Sequence, residues 1–139
     1  VQDLKVNQQS HKEGVQERTD VLLIDEMGLL TQLYGVSDIA FVGGSIADKG
    51  GHNPIEPASF AVPTLMGPNI YNNPEICEVL VDAGGLKVVN NEDEFQMQLS
   101  KWLADIELRG SEGRAGRNTI EDHGGLIASI AEKINMSIR

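Results

Sequence analysis

The most informative segment of the chain, residues 39–56, reads Ile39-Ala40-Phe41-Val42-Gly43-Gly44-Ser45-Ile46-Ala47-Asp48-Lys49-Gly50-Gly51-His52-Asn53-Pro54-Ile55-Glu56. Its apolar start predicts a strand, its paired glycines a turn, and its end the beginning of a helix. A glycine-rich turn between a strand and a helix N-terminus offers backbone N–H groups to an anion. Glycine also lets the backbone approach a ligand closely. The segment therefore predicts a site for a phosphorylated or carboxylated ligand, although it contains neither Gly-x-Gly-x-x-Gly nor a Walker loop.

The composition is typical of a soluble globular protein with one domain. The chain has 139 residues, of which 40% are hydrophobic and 23% charged, and its formal net charge is −10. This acidic balance argues against nucleic acid as a partner, because binding to phosphate backbones needs clustered Lys and Arg. The single Cys77 excludes an internal disulfide, and no apolar run approaches the roughly 18 residues of a membrane span. Since residue 1 is Val, we expect a piece of a longer protein.

Short apolar runs alternate with helical patterns along most of the chain. Four runs predict buried strands, at residues 21–24, 39–42, 63–66 and 86–89. Helices are predicted at residues 29–35, 53–60, 74–83, 92–108 and 119–134. Repeated β-α units favour parallel strands. We therefore predict an α/β fold, a Rossmann-like parallel sheet flanked by helices, over residues 20–139, after a polar lead-in (residues 1–19) with a short strand at residues 4–6.

The helix predictions also assign core and surface residues. Apolar residues at helical spacing indicate buried faces, and they are Phe95, Leu99, Trp102, Leu103 and Ile106 in one helix and Ile120, Leu126, Ile127, Ile130, Ala131 and Ile134 in the last. The glycines and arginines between these helices are predicted to form a solvated linker, and they are Arg109, Gly110, Gly113, Arg114, Gly116 and Arg117.

Two interpretations of Glu56 stay open. Asn53, Pro54 and Glu56 match a capping box, in which the carboxylate bonds the N–H of the N-cap residue. The same carboxylate could instead accept hydrogen bonds from the hydroxyls of a nucleotide ribose. The two interpretations are compatible with each other, because the cap needs only one of the two carboxylate oxygens.

Other polar residues of the segment have simpler interpretations. His52 is predicted to donate a hydrogen bond to a phosphate or carboxylate. Ser45 lacks the Gly-x-Ser-x-Gly context of a nucleophile, so its hydroxyl is predicted to contact the anion. No metal site is predicted, because the three histidines and the single cysteine lack ligand spacing. Residues 67–72 follow the next strand, so they are expected at the same edge of the sheet.

These residues together resemble the C-terminal half of the 3-deoxy-D-manno-octulosonic acid (Kdo) transferases of Gram-negative bacteria. The similarity covers roughly residues 20–90. Its most specific part is Gly-Gly-His-Asn-Pro-x-Glu-Pro, and the matching stretches are Asp25–Gly28, Asp38–Ser45, Gly50–Ala58 and Val62–Pro68.

The resemblance implies a GT-B glycosyltransferase of two domains that acts in lipopolysaccharide biosynthesis. Its C-terminal Rossmann-like domain would bind CMP-Kdo, and Kdo would pass to a lipid A precursor at the cytoplasmic face of the inner membrane. The acceptor domain, the general base (a glutamate) and the membrane-associated segment would lie in an N-terminal part that this chain lacks. The chain alone is therefore expected to be soluble and inactive, with no cofactor and no metal.

The resemblance also implies roles for residues of this chain. Glu56 would bind the cytidine ribose, and Asn72 would line the donor pocket. The residues that would surround the phosphate and the Kdo carboxylate are Gly43, Gly44, Ser45, Gly50, Gly51, His52 and Asn53. No catalytic residue is implied in this chain.

Two departures and two alternatives remain. The family often has a basic residue before its Ser near position 10, where this chain has Gln9 before Ser10. The family commonly reads Asp-Thr-Met-Gly-Glu-Leu where this chain has Asp25-Glu26-Met27-Gly28-Leu29-Leu30. The role of the family's second acidic residue is therefore open, unless Glu26 replaces it. The alternatives are the donor domain of another GT-B enzyme that uses a UDP-sugar, and a non-enzymatic module that binds an anion or a sugar.

Overall fold

The computed structural model describes residues 4–8, 18–125, 128 and 132. The strands within these residues are β1 (Val6–Gln8), β2 (Val21–Leu23), β3 (Ala40–Val42), β4 (Thr64–Met66) and β5 (Leu86–Val88). The helices are α1 (Leu30–Tyr34), α2 (Ile55–Ser59), α3 (Pro74–Ala83), α4 (Glu92–Ala104) and α5 (Ile106–Asp122). In this part of the chain, none of the helices combines the length and the apolar character needed to cross a membrane.

The strands form two parallel sheets. One contains β3, β4 and β5 in that order, and the other pairs β1 with β2. The α/β class with parallel strands and flanking helices is thus confirmed, whereas the described strands do not join into one sheet. Strand β2 is also less buried than its apolar run predicts, since Val21 and Leu23 are 40% and 51% exposed.

The core lies on both faces of the three-stranded sheet, because successive side chains of a strand point to opposite faces. Helices α2, α3 and α5 cover one face, where the buried cluster contains Val42, Ala58, Met66, Ile76, Cys77, Leu80, Leu86 and Ile120. Helix α4 covers the other face, where Leu65, Val89 and Trp102 are buried and Phe95 and Leu99 pack against them.

The helix predicted at residues 92–108 is in fact two helices, α4 and α5, which meet at Asp105. The side chain of Asp105 accepts a hydrogen bond from the N–H of Leu108 and so begins α5. This break changes the direction of the chain, and Leu103 and Ile106 are 61% and 70% exposed. Their assignment to the core was therefore wrong, while that of Trp102 was correct.

The predicted linker at residues 109–117 is wrong, because these residues lie inside α5. Gly113 and Gly116 are buried. A Cβ atom on Gly113 would lie 2.0 Å from the carbonyl oxygen of Ala61, and one on Gly116 would lie 3.4 Å from the Cα of Gly85. These glycines therefore let α5 pack closely against the backbone of its neighbours. The last predicted helix overlaps the end of α5, and from residue 126 onward all but residues 128 and 132 lie outside the described residues.

Candidate functional site

Two loops leave the carboxyl ends of neighbouring parallel strands. The glycine loop (residues 43–53) connects β3 to α2, and the brace loop (residues 67–73) connects β4 to α3. Ligands of open α/β sheets bind outside this edge. The expected proximity of the two loops is confirmed, since the N–H of Asn69 donates to the carbonyl of Ser45 over 2.9 Å.

The glycine loop is closed by hydrogen bonds within itself. The N–H of Gly51 donates to the carbonyl of Gly44 over 2.9 Å, and the N–H of His52 donates to that of Gly43 over 3.0 Å. Within the described part of the chain, the N–H groups of Gly43 and Gly44 have no hydrogen-bond partner. The loop therefore offers donors at its start, directly after β3.

Ser45 connects the two loops from a fully buried position. Its hydroxyl donates to the carbonyl of Val42 over 2.7 Å and accepts from the N–H of Gly67 over 2.8 Å. The hydroxyl is thus engaged with the backbone on both sides, contrary to the anion contact that the sequence predicts for it. What Ser45 can offer to a ligand is its backbone.

His52 and Asn53 are exposed at the end of the glycine loop. The His52 ring lies against Gly44, where an added Cβ would be 3.1 Å from its Cδ2. The side chain of Asn53 accepts the N–H of Ile55 over 2.9 Å. This bond uses one of the few free N–H groups at the start of α2, which has five residues and contains Pro57. The helix end therefore contributes fewer anion donors than the sequence predicts.

Glu56 does not complete a capping box. Its exposed carboxylate accepts a hydrogen bond from the hydroxyl of Thr31 in α1, over 3.1 Å. The nearby Tyr34 has a raised pKa, first because it is partly buried and second because of the negative charge of Glu56. Sequence reasoning missed Thr31 and Tyr34, since neither residue belongs to a recognisable motif. The carboxylate thus lies beside Thr31 of α1, in the first turn of α2.

Acidic side chains also follow β2 and β3, namely Asp25, Glu26 and Asp48. Among the residues that the structure describes, no group of three or more His, Cys, Asp or Glu side chains could hold a metal ion. Asp25 and Glu26 are exposed after β2, and Asp25 accepts a hydrogen bond from the side chain of Gln8. Asp48, in the glycine loop, accepts the hydroxyl of Tyr71 over 2.8 Å.

A mainly apolar cavity adjoins the two loops on the side of α4. Its volume is about 370 Å³, and Ile46 and Pro68 contribute to its wall from the loops. Phe41 and Phe95 line it as an edge-to-face pair with ring centroids 5.6 Å apart. The sequence gives no sign of this cavity, because Phe41 belongs to an apolar run that predicts a buried strand.

Asn72, the last of the predicted site residues, lies in the brace loop. Its side-chain nitrogen donates to the carbonyl of Lys49 over 2.8 Å and to that of Gly51 over 3.1 Å. The structure therefore brings Asn72 to the glycine loop, as expected. Glu56 lies beyond the loop, at the start of α2.

Comparisons with known proteins identify relatives. The 3-deoxy-D-manno-octulosonic acid transferase of Haemophilus influenzae is 39% identical over 117 residues, which cover 84% of this chain and 27% of that protein. A bifunctional glycosyltransferase/methyltransferase of Fusobacterium nucleatum is 38% identical over 135 residues, which cover 96% of this chain and 19% of that protein. The chain thus spans about a quarter or less of the length of these relatives. No protein-family model matches it.

A solved structure is similar in both fold and sequence. The crystal structure of the C-terminal CMP-Kdo binding domain of WaaA from Acinetobacter baumannii matches with a TM-score of 0.77 and 28% sequence identity. The match covers 84% of this chain and 61% of that one. These relatives confirm the resemblance that the motifs indicate, to the C-terminal part of the 3-deoxy-D-manno-octulosonic acid transferases.

Proposed function

We propose that this chain binds CMP-Kdo and is the donor-binding part of a glycosyltransferase that transfers Kdo to a lipid A precursor. The main support is the similarity to the CMP-Kdo binding domain of WaaA, at a TM-score of 0.77 and 28% identity. The position of the glycine loop agrees with this proposal, because it lies at the edge where parallel sheets bind ligands.

The geometry suggests a role for each part of the site. The free N–H groups of Gly43 and Gly44 would donate to the phosphate of CMP. The exposed His52 would donate to the phosphate or to the Kdo carboxylate, from its place against Gly44. The exposed Glu56 carboxylate would accept hydrogen bonds from the ribose hydroxyls, since its bond from Thr31 leaves acceptor positions open.

The reaction would be a direct displacement. An acceptor hydroxyl would form the new bond to Kdo while the bond from Kdo to the phosphate of CMP breaks and CMP leaves. N–H donors at the phosphate would stabilise the charge that this leaving group gains. Orienting the donor is the other contribution of this part of the enzyme. The acceptor, the general base and the contact with the inner membrane would belong to other parts, so the chain alone would transfer no Kdo.

A titration with CMP, followed by NMR of the backbone amides, tests the proposal. A site with part of its contacts should bind with a dissociation constant on the order of 0.1–10 mM. The largest shifts should occur in residues 43–56 and 67–72. Shifts confined to residues 92–125 would contradict the site, and an equal response to ribose-free phosphate would contradict nucleotide recognition.

The bifunctional relative from Fusobacterium nucleatum supports a second candidate. It is named a glycosyltransferase without mention of Kdo, and its similarity covers 96% of this chain. The donor in that case would be another sugar nucleotide, such as a UDP-sugar. Parallel titrations with CMP and UDP distinguish the two candidates, because a clear preference for UDP would favour the second.

A further inference from the structure

The brace loop contacts the glycine loop along most of its length. The N–H of Gly67 bonds the hydroxyl of Ser45, and the side-chain nitrogen of Asn69 donates to the carbonyl of Ile46 over 3.0 Å. Further on, the hydroxyl of Tyr71 donates to Asp48 over 2.8 Å. The glycine loop therefore takes its shape from a second loop, which belongs to the next strand.

Asn72 makes the densest set of these contacts. Its side-chain nitrogen donates to the carbonyls of Lys49 and Gly51, and its backbone N–H donates to that of Gly50 over 3.0 Å. Three consecutive carbonyls of the glycine loop thus point to one residue. The side-chain nitrogen has two hydrogens and both are used, so it has none left for a ligand.

The fit around Asn72 is tight. Gly50 has a φ of +80°, and a Cβ on it would lie 2.3 Å from the side-chain oxygen of Asn72. Gly50 therefore has to be glycine both for its backbone conformation and for the space that Asn72 occupies.

The bonds from Asn72 also influence an N–H donor at the start of the glycine loop, because each peptide unit is planar and turns as one piece. In a trans peptide, the C=O of one residue and the N–H of the next point in opposite directions. When Asn72 holds the carbonyls of Gly50 and Gly51, the N–H groups of Gly51 and His52 face the other way. There they donate to the carbonyls of Gly44 and Gly43. By the same rule, the carbonyl of Gly43, once held, orients the N–H of Gly44, which is free within the described part of the chain.

We infer that Asn72 is a positioning residue, whose side-chain amide fixes the glycine loop so that the N–H of Gly44 is arranged for the donor phosphate. The inference rests on the proposed function, and it assigns to Asn72 an action through the loop rather than a contact with the donor. A loop held in its binding shape loses less conformational freedom when the ligand binds.

The test compares two variants of the 139-residue chain. Asn72→Ala removes the side-chain bonds to the glycine loop. Asn73→Ala is the matched control, because it makes the same substitution at the neighbouring residue, whose side chain does not cap α3 and has no hydrogen bond to the glycine loop within the described part of the chain. Hydrogen exchange of the Gly51 and His52 amides is measured without ligand, and CMP affinity is measured by NMR titration.

In Asn72→Ala, we expect hydrogen exchange at the amides of Gly51 and His52 to be about tenfold faster than in the parent chain. The affinity for CMP should be about tenfold weaker, which corresponds to about 1.4 kcal/mol of binding free energy. Asn73→Ala should change either quantity less than twofold. Asn72→Asp places a carboxylate oxygen, which cannot donate a hydrogen bond, next to two carbonyl oxygens. The same two amides should therefore exchange at least as fast in this variant as in Asn72→Ala. Thermal melting of each variant shows that the chain remains folded.

Two results would overturn the inference. Weaker CMP binding with unchanged exchange would mean that Asn72 contacts the donor directly. Faster exchange with unchanged CMP affinity would mean that the shape of the loop does not matter for binding. If the parent chain binds no CMP, the proposed function fails, and the exchange rates of the ligand-free variants still decide whether Asn72 holds the loop.

Discussion

Replacing Glu56 with glutamine separates a structural role of this residue from a role in binding. In the free chain the carboxylate is exposed and accepts one hydrogen bond, from the hydroxyl of Thr31 over 3.1 Å. Glutamine retains an oxygen that can accept the same bond. The only other loss is the favourable charge in the first turn of α2, about 0.3–1 kcal/mol for an exposed site. The free energy of unfolding should therefore change by less than about 1 kcal/mol.

The affinity for CMP should change more. Hydrogen bonds to an ionised group contribute about 1.5–3 kcal/mol, against roughly 0.5–1.5 kcal/mol for neutral pairs. The amide also presents one acceptor oxygen where the carboxylate presents two. A difference of about 1.4 kcal/mol corresponds to a tenfold weaker affinity. Urea unfolding and an NMR titration with CMP measure the two effects on the same sample.

Glu75→Gln is the matched control, because Glu75 is an exposed carboxylate in the first turn of α3. It should cost a similar small amount of stability and leave CMP affinity unchanged. The Glu56→Gln variant should also have a lower Tyr34 pKa, since the charge of Glu56 is one of the two causes that raise it. A variant that shows this lower pKa and still binds CMP as tightly as the parent would refute the ribose role.

Three further predictions concern packing, pH and metal ions. Gly113→Ala should destabilise the chain by about 1–3 kcal/mol, because its Cβ would lie 2.0 Å from the carbonyl oxygen of Ala61. Gly110→Ala should stabilise the chain by up to about 1 kcal/mol, because its Cβ would meet only the flexible end of Arg114. Urea unfolding measures both changes. Burial raises the pKa of the Cys77 thiol from 9.0 to about 11. The unfolded chain therefore ionises first, and the free energy of unfolding should fall as the pH rises from 9.0 towards about 11. Cys77→Ala should make this fall smaller, and the raised pKa of Tyr34 should account for part of what is left. CMP binding should persist in EDTA, and a requirement for Mg²⁺ in the same titration would reopen Asp48 and Glu56 as metal ligands.

The sequence predicted the elements that its local patterns specify. Residues 74–83 begin with Pro and end before two glycines, and the helix α3 has these same bounds. The strand β4 lies within the predicted residues 63–66 and is buried throughout, as a continuous apolar run indicates. Here the local signals and the tertiary packing agree.

The prediction failed where packing overrides local preference. Glycine is a poor helix former, so three glycines between residues 110 and 116 suggested a linker. The actual role of Gly113 and Gly116 is close contact between α5 and the backbone at Ala61 and Gly85, and this contact exists only in the folded chain. The helix break at Asp105 was missed because the apolar spacing continues across it.

In the candidate site, too, local patterns could be read from the sequence and long-range contacts could not. The paired glycines and the following Asn and Glu indicated the candidate site, because these residue types form a local pattern that can be read from the sequence. The partners of Ser45 and Glu56 could not be predicted, since Gly67 and Thr31 lie 22 and 25 residues away in sequence. The clearest sequence signal for a contact between the two loops was the position of residues 67–72 directly after the adjacent strand.

An acidic chain that is proposed to bind an anion needs an explanation, and the backbone of the glycine loop provides one. The net charge of −10 opposes a negatively charged ligand, but charges beyond about 8 Å are largely screened at physiological ionic strength. Near the loop, the carboxylate of Asp48 is held by the hydroxyl of Tyr71 and that of Glu56 by the hydroxyl of Thr31. The phosphate would instead meet N–H dipoles whose orientation is fixed before binding. Because these donors belong to the backbone, the site depends on loop geometry more than on net charge, and the residues that hold the loop matter as much as those that would touch the ligand.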